Sequence, residues 1–199
     1  CNINGNNFTD SFNTAGVIYI TRDPRNIITS LANHYKFGLD EAFNFLSNKR
    51  KIIFPTELKS NNKKKSIQDD FNFLGDWSFH YKSWKNIDYC PIKIIRYEDI
   101  LDNTNKTFTS IIKFLSQFIK LKIDEKKIKN TLNTTSFQVL KKMEIDEGFD
   151  EARYNPSDKN KSTFFNLGKD NNWKNFLDKK MIDKINMNFE NEMKELNYL

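Results

Sequence analysis

The sequence predicts an α/β protein in which a parallel sheet is flanked by helices. Two short runs rich in β-branched and aromatic residues, at 16–20 and 92–100, are typical of buried strands. Each run is followed by a segment whose apolar residues recur at helical spacing, so the order is strand, helix, strand, helix. The length of 199 residues suits one domain with a real core. In such a sheet we expect functional groups at the carboxyl ends of the strands.

The first strand, "GVIYI" at 16–20, leads through a short turn into the first helix. Asp23 is a favourable N-cap residue, and Pro24 is favourable at the first helical position. Four apolar residues then repeat at helical spacing: Ile27, Ile28, Leu31 and Tyr35. We therefore predict a strand, a turn and a helix within this segment.

The middle of the chain predicts two further helices separated by an exposed loop. The first covers "DEAFNFLSNKR" at 40–50, and the loop covers "KSNNKKKSIQDD" at 59–70, which has no periodicity. The second helix is predicted across 69–86, although Gly75 is unfavourable there. Five side chains would share one of its faces: Phe73, Trp77, His80, Tyr81 and Trp84.

The second half of the chain repeats the strand and helix order. "IKIIRYEDI" at 92–100 predicts a strand after a turn at Pro91, and "KTFTSIIKFLSQF" at 106–118 predicts a helix. From residue 124 the pattern is helical except at about 148–173. Because a polar stretch of that length is unusual as an idle loop, we expect it to cover a ligand.

The overall charge permits several kinds of partner. The chain has a formal charge of +6 and a pI of about 9.1, which suits nucleic acid, an anionic membrane surface or a polyanionic small molecule. Most lysines alternate with Asn, Asp and Glu, as on a solvated surface, and "NNKKKS" at 61–66 is the exception. No recognised nucleic-acid motif occurs, so a basic nucleic-acid-binding protein is the weaker alternative.

The cysteines and the hydropathy favour a cytoplasmic, soluble protein. Cys1 and Cys90 are far apart and match neither a disulfide framework nor a zinc-ligand spacing. No apolar stretch approaches the roughly 18 to 20 residues that span a bilayer, and "CNINGNNFTD" lacks the features of a signal peptide. The chain does not start with Met, so we expect that it is truncated at its N-terminal side.

Arg22 and Ser30 are the first candidate binding residues. Arg22 follows the first strand, where a guanidinium can hold a phosphate through two parallel hydrogen bonds, and Ser30 offers a hydroxyl from the helix. Charge-assisted hydrogen bonds contribute roughly 1.5 to 3 kcal/mol each. The alternative is that Arg22 pairs with Asp23 or Glu98 and that Ser30 is an ordinary surface residue.

Four segments occur in an order that resembles a known family. They are "YITRDPRNIITS", "RYED", "NTTSFQVLKK" and "FFNLGKDNNWKNFL". Together they resemble the cytosolic-type sulfotransferases, which use 3′-phosphoadenosine 5′-phosphosulfate (PAPS) and release adenosine 3′,5′-bisphosphate (PAP). The resemblance covers nearly the whole chain. It implies one sulfotransferase-like domain over 1–199, with part of a P-loop-like three-layer fold.

The resemblance also implies roles for individual residues. Arg22 and Ser30 match the pair that grips the 3′-phosphate. Four residues would surround the adenine: Tyr97, Thr135, Ser136 and Phe137. Trp77 and His80 match a segment that lines the acceptor pocket, whereas His34 is either structural or near the nucleotide. Alone, Tyr97 also suits a core position and Ser136 a helix N-cap. The acceptor would be a small molecule, sugar or lipid that presents a hydroxyl or amine.

The last segment departs from the family pattern. An Arg-Lys-Gly sequence followed by Gly-Asp-Trp is usual, whereas this chain has Asn166, Leu167 and Gly168 and then Asn171, Asn172 and Trp173. Two cations that would face the phosphate are therefore replaced. Lys169, or otherwise Lys174, is the candidate to substitute for them. The pairing motif known in animal members, Lys-x-x-x-Thr-Val, is not kept after Lys174, which leaves the oligomeric state open.

No catalytic residue is assigned. The family's phosphosulfate-binding loop and its catalytic His would align upstream of Cys1, so we expect this polypeptide alone to have at most residual transferase activity. The alternative function is a catalytically inactive nucleotide-binding or scaffold protein of the same fold. No metal is expected, because Lys and backbone donors stabilise the departing phosphate in this chemistry.

Overall fold

The structure, a computed structural model, describes residues 9–53, 72–149 and 163–199. The predicted loop at 59–70, with its basic run, and residues 150–162 of the stretch at 148–173 lie outside these residues. The elements in chain order are β1 (Val17–Thr21), α1 (Pro24–Tyr35), α2 (Leu39–Leu46), β2 (Ile52–Ile53), β3 (Asn72–Phe73), α3 (Trp77–Lys85), β4 (Ile92–Arg96), α4 (Tyr97–Asp102), α5 (Thr104–Leu115), α6 (Glu125–Thr134), α7 (Phe137–Glu147), α8 (Lys179–Asn188) and α9 (Glu190–Glu195). Two short 3₁₀ turns, Gly168–Asp170 and Trp173–Asn175, precede α8. Within the described ranges, no helix is both long and apolar enough to cross a membrane.

The central sheet is parallel, which confirms the predicted α/β class with helices flanking a parallel sheet. Strand β1 pairs with β4 from Val17 opposite Ile92 to Thr21 opposite Arg96. Because both strands end at the same level, the residues that follow them start from neighbouring points of the sheet edge. Strands β2 and β3 form a separate antiparallel pair that the sequence did not predict.

The core lies where α1 and β1 meet the two C-terminal helices. Ile28 of α1 is fully buried, and so are Ile185 of α8, Phe189 between α8 and α9, and Met193 of α9. Burying one such side chain contributes about 1.5 to 3 kcal/mol relative to leaving it exposed. The C-terminal helices therefore fix the position of α1, which carries one of the candidate site residues.

Several predicted boundaries differ from the structure. The helix predicted over 69–86 begins only at Trp77, with the Asp76 carboxylate as its N-cap, accepting from the Phe79 N–H at 2.7 Å. Phe73 lies in β3 and not on the helical face, because Gly75 adopts a φ of +68°, which breaks the helix before it.

The remaining boundary differences are smaller. The strand predicted over 92–100 ends at Arg96, because the next six residues form α4. The helix predicted over 40–50 is observed at Leu39–Leu46, and the one predicted over 106–118 at Thr104–Leu115. Each of these differences moves an end and leaves the predicted type of element unchanged over most of its length.

Candidate functional site

The parallel register brings Arg22 and Tyr97 together. Each residue directly follows its strand, because β1 ends at Thr21 and β4 ends at Arg96, and these two residues are paired. The guanidinium carbon of Arg22 lies 4.5 Å from the centre of the Tyr97 ring. A cation over an aromatic face at this distance is attracted by the ring's quadrupole. Tyr97 thus holds the guanidinium at the edge of the sheet.

Ser30 reaches the same guanidinium from α1. The helix begins as predicted, with Pro24 at its first position and the Asp23 carboxylate accepting from the Arg25 N–H at 2.9 Å. Two turns later the Ser30 hydroxyl accepts a hydrogen bond of 3.2 Å from Arg22 Nη1. Arg22, Ser30 and Tyr97 therefore form one cluster, and we call these three residues the Arg22 cluster.

The carboxylates next to Arg22 are engaged elsewhere. Asp23 forms a buried ion pair of 2.7 Å with Arg25. Glu98 accepts from the Asp23 N–H at 3.2 Å and from the Tyr198 hydroxyl at 3.1 Å. Within the described residues Arg22 has no ion pair, and its Nε is buried without a hydrogen-bond partner. A guanidinium with unused donors and no counter-charge is suited to an anionic ligand.

Asn171 connects the segment at 163–173 to the Arg22 cluster. Its side chain is buried, with 7% of the residue exposed. The amide nitrogen donates to the Ser30 hydroxyl at 2.8 Å and to the carbonyl oxygen of Asn26 at 3.2 Å, and the amide oxygen lies 2.6 Å from the hydroxyl of Thr29, which donates to it. These bonds join residues more than 140 positions apart in the sequence.

Two further contacts hold the same segment against α1. The Trp173 N–H donates to the Asn26 side-chain oxygen at 2.9 Å. The Arg25 guanidinium carbon lies 4.1 Å from the centre of the Trp173 ring, and its Nη2 donates to the carbonyl oxygen of Tyr198 at 2.6 Å. Because Arg25 also pairs with Asp23, one buried side chain links the start of α1, the segment and the C-terminus.

Gly168 packs directly against Phe137. Its φ of +57° lies in the left-handed region, and a Cβ atom added there would come within 2.8 Å of the Phe137 ring. Phe137 is the first residue of α7, and its ring also meets Phe165 edge to face. Only glycine satisfies both the backbone conformation and the close approach.

The other side of the segment is held by α7. The buried carboxylate of Glu144 accepts from the backbone N–H groups of Phe164 and Phe165, the latter at 2.8 Å. Lys141 donates to the carbonyl oxygen of Asn166 at 3.2 Å. The segment therefore spans the space between α7 and α1. Lys141 provides a cation beside the segment, and the sequence analysis did not select this residue. Lys169, which it did select, is exposed on the first 3₁₀ turn.

Thr135 and Ser136 lie at the turn between α6 and α7. The Thr135 hydroxyl donates to the carbonyl oxygen of Thr131 at 2.8 Å, within its own helix. Ser136 is the N-cap residue of α7, but its side chain makes no capping bond. The structure places both residues directly before Phe137, and it gives neither a hydrogen bond to the Arg22 cluster within the described residues.

The two residues assigned to the acceptor side differ in their surroundings. Trp77 is a core residue that packs against Phe189, with ring centres 5.3 Å apart. His80, one turn later in α3, has its Nδ1 3.0 Å from the Tyr19 hydroxyl. Burial lowers the pKa of His80 and raises that of Tyr19. His34 is close to the segment at 163–173, with its ring 6.2 Å from that of Phe164.

Sequence reasoning missed Asn171, Asn26 and Thr29 as parts of this site. Asn171 was noted only as a departure from the usual motif, at the place where that motif has glycine. A signal was present, because an amide side chain at a glycine position must find partners if it is buried. Its partners, however, lie on α1 and depend on the tertiary fold.

Comparison with known proteins identifies the family of this chain. Residues 7–197 match the family model of the sulfotransferase domain. Sulfotransferase 1B1 of Canis lupus familiaris is 28% identical over 123 residues, which cover 60% of this chain and 39% of that protein. Sulfotransferase 1A1 of Rattus norvegicus is 22% identical over 183 residues, covering 92% of this chain and 57% of that protein.

A solved structure has the same fold. Mouse sulfotransferase SULT7A1, crystallised in complex with PAP, superposes with a TM-score of 0.58 and 17% sequence identity over 90% of this chain and 58% of the mouse chain. The chain thus spans about half the length of the relatives that it matches. With a family match over nearly all of its residues, the chain belongs to the sulfotransferase family.

Proposed function

We propose that this chain binds the 3′-phosphate and adenine end of PAPS, as part of a sulfotransferase that transfers a sulfuryl group to a hydroxyl or amine acceptor. The observation that carries the proposal is the Arg22 cluster, in which an arginine without a carboxylate partner among the described residues contacts both Ser30 and Tyr97. The family match supports the reaction class, and the PAP complex of the mouse relative supports the ligand.

The chemistry of the Arg22 cluster suits a phosphate. A guanidinium presents several N–H donors in one plane, and phosphate oxygens accept two of them in parallel. The Ser30 hydroxyl adds a donor from α1. The Tyr97 ring lies against the guanidinium and restricts its orientation, which lowers the entropy lost when the phosphate is bound.

Further nucleotide contacts are proposed for the residues on the adenine side. Phe137 offers an aromatic face for a purine, and the Ser136 hydroxyl offers a donor to a ring nitrogen. The Thr135 hydroxyl, which donates to the Thr131 carbonyl, offers its lone pairs as acceptors. Gly168 lets the segment at 163–173 approach this side closely. Lys169 supplies the cation that replaces the missing Arg and Lys at 166 and 167.

The donor supplies the sulfuryl group when it is bound. This chain would hold its nucleotide end in place and keep the transferred group in a fixed position relative to the acceptor, which is the orienting part of catalysis. His80 and its partner Tyr19 belong to the proposed acceptor side, together with the buried Trp77. We assign the acceptor proton to no base in this chain.

The acceptor, location and domain organisation are part of the proposal. By resemblance to cytosolic-type enzymes, we propose a cytoplasmic location, a single sulfotransferase-like domain over 1–199, and a small-molecule, sugar or lipid acceptor. The match to two sulfotransferases supports the transferase class.

Calorimetric titration with PAP tests the proposed ligand. Arg22→Ala should weaken PAP binding by about tenfold or more, since a charged hydrogen bond contributes roughly 1.4 kcal/mol or above. Arg50→Ala is the matched control, because it removes the same charge from an exposed turn after α2. Equal affinities for the two variants, or no binding of PAP to the unmodified chain, would refute the proposal.

A further inference from the structure

We propose that Asn171 is a positioning residue that directs the hydroxyl proton of Ser30 toward the bound 3′-phosphate. This inference rests on the proposed function, because it assigns a role within the same phosphate site. It concerns a residue that contributes no charge and that the sequence motif does not select. The argument depends on how many hydrogen bonds the Ser30 oxygen can make, and with which partners.

A serine hydroxyl has one proton to donate and two lone pairs that accept. Arg22 Nη1 donates to the Ser30 oxygen at 3.2 Å, and Asn171 Nδ2 donates to it at 2.8 Å. These two donors use both lone pairs. The hydroxyl is therefore left with its proton alone, and its next partner has to be an acceptor.

The usual acceptor for a helical serine is a backbone carbonyl of the preceding turn. For Ser30 the carbonyl four residues back belongs to Asn26, which already accepts from the Asn171 amide at 3.2 Å. The Thr29 hydroxyl oxygen also lies 2.8 Å from this carbonyl oxygen, and its one proton goes to the Asn171 amide oxygen. Within the described residues Ser30 donates to no protein acceptor. Its proton is thus available to a ligand.

The amide of Asn171 has a fixed orientation. One amide proton goes to Ser30 and the other to the Asn26 carbonyl, while the amide oxygen accepts from Thr29. Turning the amide over would place its oxygen against the carbonyl oxygen of Asn26, which is repulsive. A buried donor held in this way keeps the Ser30 lone pair occupied before any ligand arrives.

A phosphate dianion accepts hydrogen bonds and offers none. A hydroxyl whose lone pairs are already satisfied is therefore matched to it, and no reorientation cost is incurred on binding. Without Asn171, the Ser30 hydroxyl can rotate, and part of its population points away from the ligand. We infer that the loss of Asn171 costs affinity through Ser30 and only for ligands that carry a 3′-phosphate.

A double-mutant cycle with two ligands tests this inference. Calorimetry with PAP and with adenosine 5′-phosphate, which lacks the 3′-phosphate, is carried out on the unmodified chain, Ser30→Ala, Asn171→Ala and the double variant. We expect each single substitution to weaken PAP binding by about three- to tenfold and the double variant to bind no more weakly than Ser30→Ala. Affinity for adenosine 5′-phosphate should change by less than about twofold in all variants.

The controls separate positioning from structural damage. Asn175→Ala removes an exposed amide near the same segment and should leave PAP binding unchanged. Asn171→Asp keeps the size of the side chain but places an acceptor opposite Ser30, so it should weaken PAP binding more than Asn171→Ala does. It serves as the test variant if the alanine variant does not fold.

Three results would overturn the inference. Additive losses in the cycle would show that Asn171 does not act through Ser30, and an equal loss for both nucleotides would show a merely structural role. PAP binding that depends on Arg22 but not on Asn171 would overturn this inference and leave the proposed function standing. Absence of PAP binding to the unmodified chain would overturn both.

Discussion

Replacing Gly168 by alanine should destabilise the protein through two separate effects. The backbone at Gly168 has a φ of +57°, which alanine adopts only at a cost. The new methyl group would lie 2.8 Å from the Phe137 ring, closer than Cβ contacts in proteins normally are. The ring cannot move freely, because Phe165 packs against its other edge with the ring centres 6.1 Å apart.

The two effects give an expected magnitude. The left-handed conformation costs roughly 1 to 2 kcal/mol for a residue with a Cβ atom. Crowding of a packed ring costs about 1 to 3 kcal/mol. We therefore expect Gly168→Ala to lower the free energy of unfolding by about 2 to 5 kcal/mol. In a Phe137→Ala background only the backbone cost should remain, at roughly 1 to 2 kcal/mol.

Urea denaturation followed by tryptophan fluorescence measures these differences. Gly38→Ala is the matched control, because Gly38 has a φ of −67° and its Cβ position meets nothing within 4 Å. There the lower chain entropy of the unfolded state offsets the weaker N-cap, so we expect a change below about 0.5 kcal/mol. If Gly168→Ala were as stable as Gly38→Ala, the result would contradict the positive φ at Gly168 and its close packing against Phe137.

Two further predictions concern the buried groups around the site. Arg25→Ala should lower the free energy of unfolding by about 3 to 5 kcal/mol, because it leaves the buried Asp23 carboxylate without its partner; denaturation of Arg25→Ala beside Arg50→Ala checks this, and equal stabilities would contradict it. His80 should make the protein less stable as the pH falls below about 6.5, because its lowered pKa means that the unfolded state binds the proton more readily. Unfolding free energies at several pH values between about 5 and 8 should fall less on acidification for His80→Gln than for the unmodified chain, and identical slopes would refute the assignment.

Local sequence signals predicted the elements that carry the Arg22 cluster. The apolar run at 16–20, the Asp23 cap and Pro24 specify the end of β1 and the start of α1, and all three act within a few residues of one another. The rule that functional groups follow parallel strands predicts a site at the end of β1. It did not select Tyr97 as the residue beside Arg22, because the second strand was predicted to run to 100 and ends at Arg96. The parallel pairing of the strands was the one tertiary assumption required.

The features that the sequence did not predict depend on distant contacts or on competing periodicities. The aromatic spacing from Phe73 onward fits a helix, but Gly75 and the pairing of β3 with β2 override it. At 97–100 the pattern suits either a strand or a helix, and the structure has a helix. Asn171 meets Ser30 across 141 positions, and no local pattern encodes such a contact.

The affinity ratio of PAP to adenosine 5′-phosphate for the unmodified chain tests the central claim most directly. The two ligands differ by the 3′-phosphate alone, so their ratio isolates the part of the ligand that we assign to Arg22 and Ser30. We predict by calorimetry that PAP binds at least about tenfold more tightly, and that this preference is lost in Arg22→Ala. Equal affinities for the two nucleotides would contradict the assignment of this site to a 3′-phosphate.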